Sequence, residues 1–181
     1  MKQFRGKQCH KIAQPMYDVF INYRKADSGR AFVPLLYDHL MNKGIRPFLD
    51  TKSMKPGNKL FHQINNAIHS SKVGVSVLTR RFCDSHFCLH ELRLLNESNK
   101  RLIPIFYDIK PSQLQLKANA RYPPQLLQKF VAALEETKYT VGIAFDSLNG
   151  DWMELQRKIS DAVIMNLLEL EDEENRNTPA C

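Results

Sequence analysis

Long hydrophobic runs are missing from this sequence. No stretch of its 181 residues approaches the roughly eighteen consecutive apolar residues of a membrane-spanning helix. Residues 1–15 also lack the apolar core of a secretory signal. Cysteine is scarce: Cys9 and Cys181 lie in polar ends, and Cys83 and Cys88 in the body. That usage fits reduced thiols, not a secreted disulfide scaffold, so the chain is expected in the cytosol or the nucleus, without a membrane partner. Glycine-rich phosphate loops are absent as well. After the first apolar run stands Arg24-Lys25-Ala26-Asp27-Ser28-Gly29, with one glycine where a dinucleotide loop needs several. No Walker loop occurs, and the third apolar run ends in Thr79-Arg80-Arg81, where a phosphate-accepting receiver would place an aspartate. Low-complexity tracts and internal repeats are missing too.

What is present is a globular composition, 43% hydrophobic and 25% charged, in a length suited to one domain. The net charge of +7 is unevenly spread. Lys2, Arg5, Lys7 and Lys11 make residues 1–15 basic, whereas five acids against Arg176 make residues 169–181 acidic. Three segments are therefore expected: a basic flexible segment 1–15, a folded domain 16–170, and an acidic flexible tail 171–181. Lysine and arginine in the middle are scattered over every element and do not cluster with aromatics, so nucleic acid is not an expected partner.

Hydrophobic periodicity alternates between two kinds. Tyr17–Tyr23, Ile45–Leu49, Val73–Leu78, Leu102–Tyr107 and Val141–Phe145 read as strands. Helical stripes stand between them: Phe32, Leu35, Leu36 and Leu40, closed by Gly44; Leu60 to Ile68; about Asp84 to Ser98; and Leu126 to Leu134. A last helix starts after Asp151. Strands joined through helices run parallel, and continuously apolar strands fit a sheet covered on both faces. The pattern predicts a doubly wound α/β domain whose ligand loops, at the carboxyl ends of the strands, are 22–30, 50–58, 79–86 and 107–120.

The third helix carries the most informative residue. At 100° per residue from Cys88, Leu92 and Leu95 fall near the origin and Phe87 and Leu94 at about 240–260°. Glu91 falls at about 300°, inside the apolar arc, while His90 and Arg93 face away. An inward carboxylate is costly unless it has partners or a purpose. It is read either as a functional acid or as one paired with a basic neighbour or the helix dipole. Cys83, His86, Cys88 and His90 look like metal ligands, but the two histidines share a face opposite Cys88, so one tetrahedral centre does not gather all four.

Tyr17-Asp18-Val19-Phe20-Ile21-Asn22-Tyr23-Arg24, Phe48-Leu49-Asp50, Ser85-His86-Phe87-Cys88-Leu89-His90-Glu91-Leu92, and Ile103 to Asp108 followed by Lys110-Pro111-Ser112 resemble, in order, a plant TIR domain (Toll/interleukin-1 receptor/resistance). The likeness covers nearly the whole chain and leaves no room for a nucleotide-binding or leucine-rich module, as in a TIR-only protein. It implies a flavodoxin-like fold with five parallel strands and NAD⁺-cleaving activity, with NAD⁺ as substrate and no cofactor or metal. The family's catalytic glutamate falls on Glu91, and the resemblance puts Arg24, Ser85, Phe87 and Phe48 around the substrate. The loop that helps build the assembled site maps to about Asp50–Lys59, including Lys52, Lys55 and Gly57. Five positions depart from the family pattern: Phe87 replaces a tryptophan, Lys25 a glycine, Val33-Pro34 a serine-histidine pair used in self-association, and Lys110 an aspartate.

Nicotinamide leaves NAD⁺ as a neutral molecule, so the second carboxyl that an ordinary glycosidase uses to protonate its leaving group is unnecessary. One carboxylate suffices to hold the ribose hydroxyls and stabilise an oxocarbenium ion. The implied partners are NAD⁺, further copies of the chain in a homo-oligomer, and TIR-containing immune receptors, in plant innate immunity and cell death. The rival expectation is an adaptor that binds other TIR domains without turnover; it gives no reason to bury Glu91.

Overall fold

A computed structural model of the protein describes residues 16–28, 31–117 and 121–177. Its elements run β1 (Val19–Tyr23), α1 (Lys25–Ser28), α2 (Phe32–Asn42), β2 (Pro47–Phe48), α3 (Asp50–Ser53), α4 (Leu60–Ser70), β3 (Val73–Leu78), α5 (His86–Glu97), β4 (Arg101–Tyr107), α6 (Pro124–Lys138), β5 (Ile143–Phe145) and α7 (Trp152–Asn177). The strands form one sheet in the order β2-β1-β3-β4-β5, and every pairing is parallel. This is the flavodoxin-like doubly wound order, with the reversal of winding between β1 and β3. The five-stranded parallel sheet expected from the alternation of elements is present.

Side-chain alternation along β1 sorts the two cores. Val19, Ile21 and Tyr23 pack with Phe32, Leu36 and Leu40 of α2 and Leu155, Ile159 and Val163 of α7. Phe20, on the opposite face, packs with Phe48, with Ile64 and Ile68 of α4, and with Leu95 of α5. A third cluster, built on Phe82, Leu89, Leu92, Phe106, Phe130 and Leu134, joins α5 and α6 over β3 and β4. Pro104 sits inside the sheet because β5 pairs with β4 only from Ile105 onward, which leaves that side of the proline without a ladder bond to supply. The approach there is tight: a Cβ at Gly142 would lie 2.4 Å from the Pro104 carbonyl oxygen.

Three expected boundaries move. The first strand starts at Val19, not Tyr17, because Asp18 turns aside to bind Arg46 through its backbone N–H and its carboxylate. The second strand shrinks to Pro47–Phe48: it lies at the sheet edge, pairs with β1, and gives up Ile45 to the turn that closes α2, where Gly44 stands as expected. The chain from 171 to 177, expected as part of a flexible tail, continues α7. Arg101 on β4 pairs there with Glu169 and, at 2.7 Å, with Glu173, so acidic residues read as a tail form a helix face against a cation. The segments 1–15 and 178–181 lie outside the described residues.

Candidate active site

The site begins where β1 meets the start of α5. Asn22 Nδ2 donates to the Cys88 carbonyl at 3.2 Å, and Cys88 Sγ donates back to the Tyr23 carbonyl at 3.4 Å. Ser85 caps the helix, its Oγ accepting from the Cys88 N–H at 3.3 Å, a role worth about 0.5–2 kcal/mol. These bonds fix the first turn of α5 against the carboxyl end of β1. One turn further on, that register buries Glu91, at 9% exposure, among the helix's apolar residues. Burial pushes the Cys88 thiol up to about 12, so this cysteine packs and donates a hydrogen bond but does not act as a nucleophile.

Glu91 makes no hydrogen bond or ion pair among the described residues, so its reading as a member of a structural ion pair falls away. Burial, and after it the negative charge of Asp50, raises its carboxyl well above the ordinary carboxylate range. Asp50 opens α3 and accepts a 2.9 Å hydrogen bond from the Tyr23 hydroxyl and one from the Thr51 N–H at 2.7 Å. Tyr23 is raised in turn, by burial first and then by the charges of Asp50 and Glu91. A carboxyl and a phenol, both raised by burial, thus share one small volume with the Asp50 carboxylate.

Arg24 stands beside this group. Its Nη1 pairs with Asp27 Oδ1 at 2.7 Å, and Asp27 Oδ2 accepts from Thr79 Oγ1 at 2.6 Å. The buried Arg24 Nε has no hydrogen-bond partner. The guanidinium is thus aimed by protein on one side and leaves a donor uncommitted on the other. Phe87 is 43% exposed and stacks on Phe61 of α4, with ring centroids 5.2 Å apart. Its outer face is open to a planar ligand.

Phe48 does not belong with them. At 2% exposure it stacks on Phe20 at 5.3 Å and meets the edge of Tyr17. It is a core residue, buried because β2 must cover the α4 side of the sheet with an aromatic. The loop after it divides in two. Asp50 and Lys52 belong to α3, where Lys52 pairs with Asp38 at 2.5 Å and lies over the Tyr37 ring. Lys55, Gly57 and Lys59 lie on the exposed stretch that follows, where the Lys55 N–H donates to Asn58 Oδ1 and Gly57 adopts φ +93°. His86 stacks on His90 and on Tyr122, and His90 meets Phe61 edge-on. The Cys88 thiol faces β1 instead, so these groups do not converge.

Sequence reasoning missed Tyr23, Asp27 and Phe61, and took Asp50 as a loop residue without its effect on Glu91. The Arg24–Asp27 spacing of three was a legible signal for an ion pair. The Tyr23–Asp50 and Phe61–Phe87 contacts depend on the sheet order and had no local signal.

The TIR domain profile matches residues 16–177. The chain is 46% identical over 166 residues to Probable 2' cyclic ADP-D-ribose synthase BdTIR of Brachypodium distachyon, covering 90% of this chain and 74% of that protein. It is 33% identical over 129 residues to TMV resistance protein N of Nicotiana glutinosa, of which it spans 10% and which covers 68% of this chain. Among solved structures, the TIR domains of the activated Roq1 resistosome, which recognises the pathogen effector XopQ, superpose with a TM-score of 0.71 at 27% identity, covering 81% of this chain and 99% of theirs. The RPS4–RRS1 TIR heterodimer shares the fold, with a TM-score of 0.52 at 16% identity, over 83% of this chain and 98% of that one. The chain belongs to the TIR domain family.

Proposed function

We propose that the protein cleaves the nicotinamide–ribose bond of NAD⁺, releasing nicotinamide and an ADP-ribose product, linear or cyclised. One observation carries this reading. Glu91 is a buried acid with no basic partner among the described residues, at the carboxyl edge of the sheet, in a chain 46% identical to a protein named as a cyclic ADP-ribose synthase. A cyclic ADP-ribose retains the ADP-ribosyl part of NAD⁺ and lacks the nicotinamide, so such a synthase must break this bond.

The C1′–N bond breaks heterolytically: its electron pair leaves with nicotinamide, which departs neutral, and C1′ is left as an oxocarbenium ion. Glu91 as carboxylate stabilises that cation in a site poor in water. Water attack then gives ADP-ribose, and attack by a hydroxyl of the same nucleotide gives a ring, one proton being released in either case. Arg24, aimed by Asp27, offers its guanidinium charge to phosphate, and Phe87 offers a face to an aromatic ring. Glu91 must lose its proton to act. A bound cationic nicotinamide ribosyl group favours the ionised form, and so does withdrawal of Asp50.

Asp50 opens the loop expected to join copies of the chain, so self-association that shifts α3 would remove the charge that adds to burial in raising Glu91. On this reading the protein is an oligomer when active, assembles with its own copies or with TIR-containing receptors, and acts in the cytosol or nucleus in plant defence. Among the described residues no helix is long and apolar enough to cross a membrane. The test is chromatography of nicotinamide and ADP-ribose species from purified protein and NAD⁺. Turnover is expected with wild type and is lost with Glu91→Gln; turnover retained in that variant would sink the assignment.

A further inference from the structure

A cleft of about 990 Å³ opens over the carboxyl ends of β3, β4 and β5, and Glu91 is not among the residues that line it. Its floor is apolar, formed by Phe106, Tyr107, Ala144 and Phe145; its rim carries Arg80, Arg81, Lys110, Asp27, Asp108 and Asp146. Formal charges on the rim cancel, but the hydrogen bonds do not treat the two signs alike. Asp27 is taken by Arg24 and Thr79. Asp108, in the left-handed region at φ +54°, accepts from the Ser147 N–H and Oγ at 2.7 and 2.6 Å. Asp146 accepts from the Leu148 N–H and Asn149 Nδ2, both at 2.9 Å. Asp27 and Asp108 are thus held by protein partners, while Asp146 binds its own loop and stays exposed.

The cations are less committed. Arg81 pairs with Asp84, but Arg80 spends only its Nε, on the Asp108 carbonyl at 3.2 Å. That bond fixes the guanidinium at the rim with its terminal nitrogens free. Lys110 makes no ion pair among the described residues. Two uncommitted cations, Arg80 and Lys110, thus stand at the mouth of the cleft, with aromatic rings beneath. Its volume exceeds what an inorganic anion fills and suits a nucleotide, and the carboxyl edge of a doubly wound sheet is where such ligands bind.

We propose that this cleft is a second nucleotide site, distinct from the Glu91 site, which takes a nucleoside mono- or diphosphate with its phosphates on Arg80 and Lys110 and its base or sugar against Tyr107 and Phe145. The chain supplies its own reporter. Its single tryptophan, Trp152, has its ring 4.9 Å from Phe145 and 5.9 Å from Tyr107, behind the floor.

ADP titrated into the full chain should change Trp152 fluorescence saturably, and pyrophosphate should compete. Arg80→Ala or Lys110→Ala should each weaken the half-point by about tenfold or more, the scale of one charged hydrogen bond. Both residues are exposed, and circular dichroism checks that the variants fold. Glu91→Gln should bind ADP as wild type does. The site is overturned by a flat or non-saturable response, by half-points in both rim variants equal to that of wild type, or by pyrophosphate that fails to compete. Loss of the response in Glu91→Gln would move ADP to the other site. A signal that follows protein concentration without ADP would make a second copy the occupant, and it too overturns the proposal.

Discussion

Two regions of the same sheet edge solve the problem of charge in opposite ways. At the end of β1, Glu91 is buried with an acid and a phenol for neighbours and, among the described residues, no cation paired with it. Over β3 to β5, every carboxylate is satisfied by the protein and two cations are left facing outward. A structural carboxylate looks like Asp108, held by two short hydrogen bonds at the cost of a left-handed backbone. Measured against Asp108, Glu91 has nothing to recommend it to the folded state. The contrast teaches that burial alone does not mark a functional acid; burial without partners does.

The largest expected effect is therefore at Glu91. Replacing it by alanine should lower NAD⁺ turnover by roughly 10²–10³, the scale of one electrostatic stabiliser, and leave the melting temperature unchanged or higher. A carboxyl whose folded value lies above its unfolded one takes up a proton on folding. Wild-type stability should thus fall as pH rises from the ordinary carboxylate range toward the folded value of Glu91. Melts of wild type and Glu91→Gln across that range measure the difference, which should widen with pH in favour of glutamine. A variant that melts lower at every pH would make Glu91 a structural residue like Asp108, and the comparison would collapse.

Arg24→Ala should cost about tenfold or more in kcat/KM, carried mainly by KM, because it removes a charged hydrogen bond to phosphate. The Thr79–Asp27 bond stays, so the fold should survive. An unchanged KM would show that the Arg24 guanidinium does not hold the substrate. Asp50→Asn keeps an acceptor for the Tyr23 hydroxyl but removes the charge that raises Glu91. The acid limb of the activity profile should shift to lower pH, with the rate at its plateau little changed. A profile that does not move would leave burial as the sole cause of the raised carboxyl.

Much of this arrangement was legible in the sequence because it is local or periodic. Apolar runs placed β3 at Val73–Leu78 as observed, and the helical period put Glu91 among Cys88, Leu92 and Leu95, where it is buried. What depended on distant packing was not legible. Phe48 carries no mark that separates a ring meant for a ligand from one that must stack on Phe20, and only the edge position of β2 decides it. Asp50 and Tyr23 are 27 residues apart, and their contact exists because β2 lies next to β1. The cleft over β3–β5 needs three strand ends brought side by side, a property of sheet order that no single segment encodes.

The smallest expected effect separates the two regions by where their rings face. Tyr107 and Phe145 are backed by Trp152 on the floor of a cleft, whereas Phe87 is an outward ring stacked on Phe61 and met edge-on by His86. A larger ring at 87 has room to grow toward solvent, so Phe87→Trp should fold as wild type does. If this face takes the nicotinamide or the adenine of NAD⁺, the wider indole adds stacking area. The gain of about 0.5–1.5 kcal/mol expected for an aromatic pair corresponds to a KM roughly two- to tenfold lower. Phe61→Ala should move KM the other way, because it takes away the support that holds the Phe87 ring in place. Steady-state kinetics on both variants checks the pair. Two unchanged values of KM would return Phe87 to the ordinary half-exposed aromatics of a helix surface.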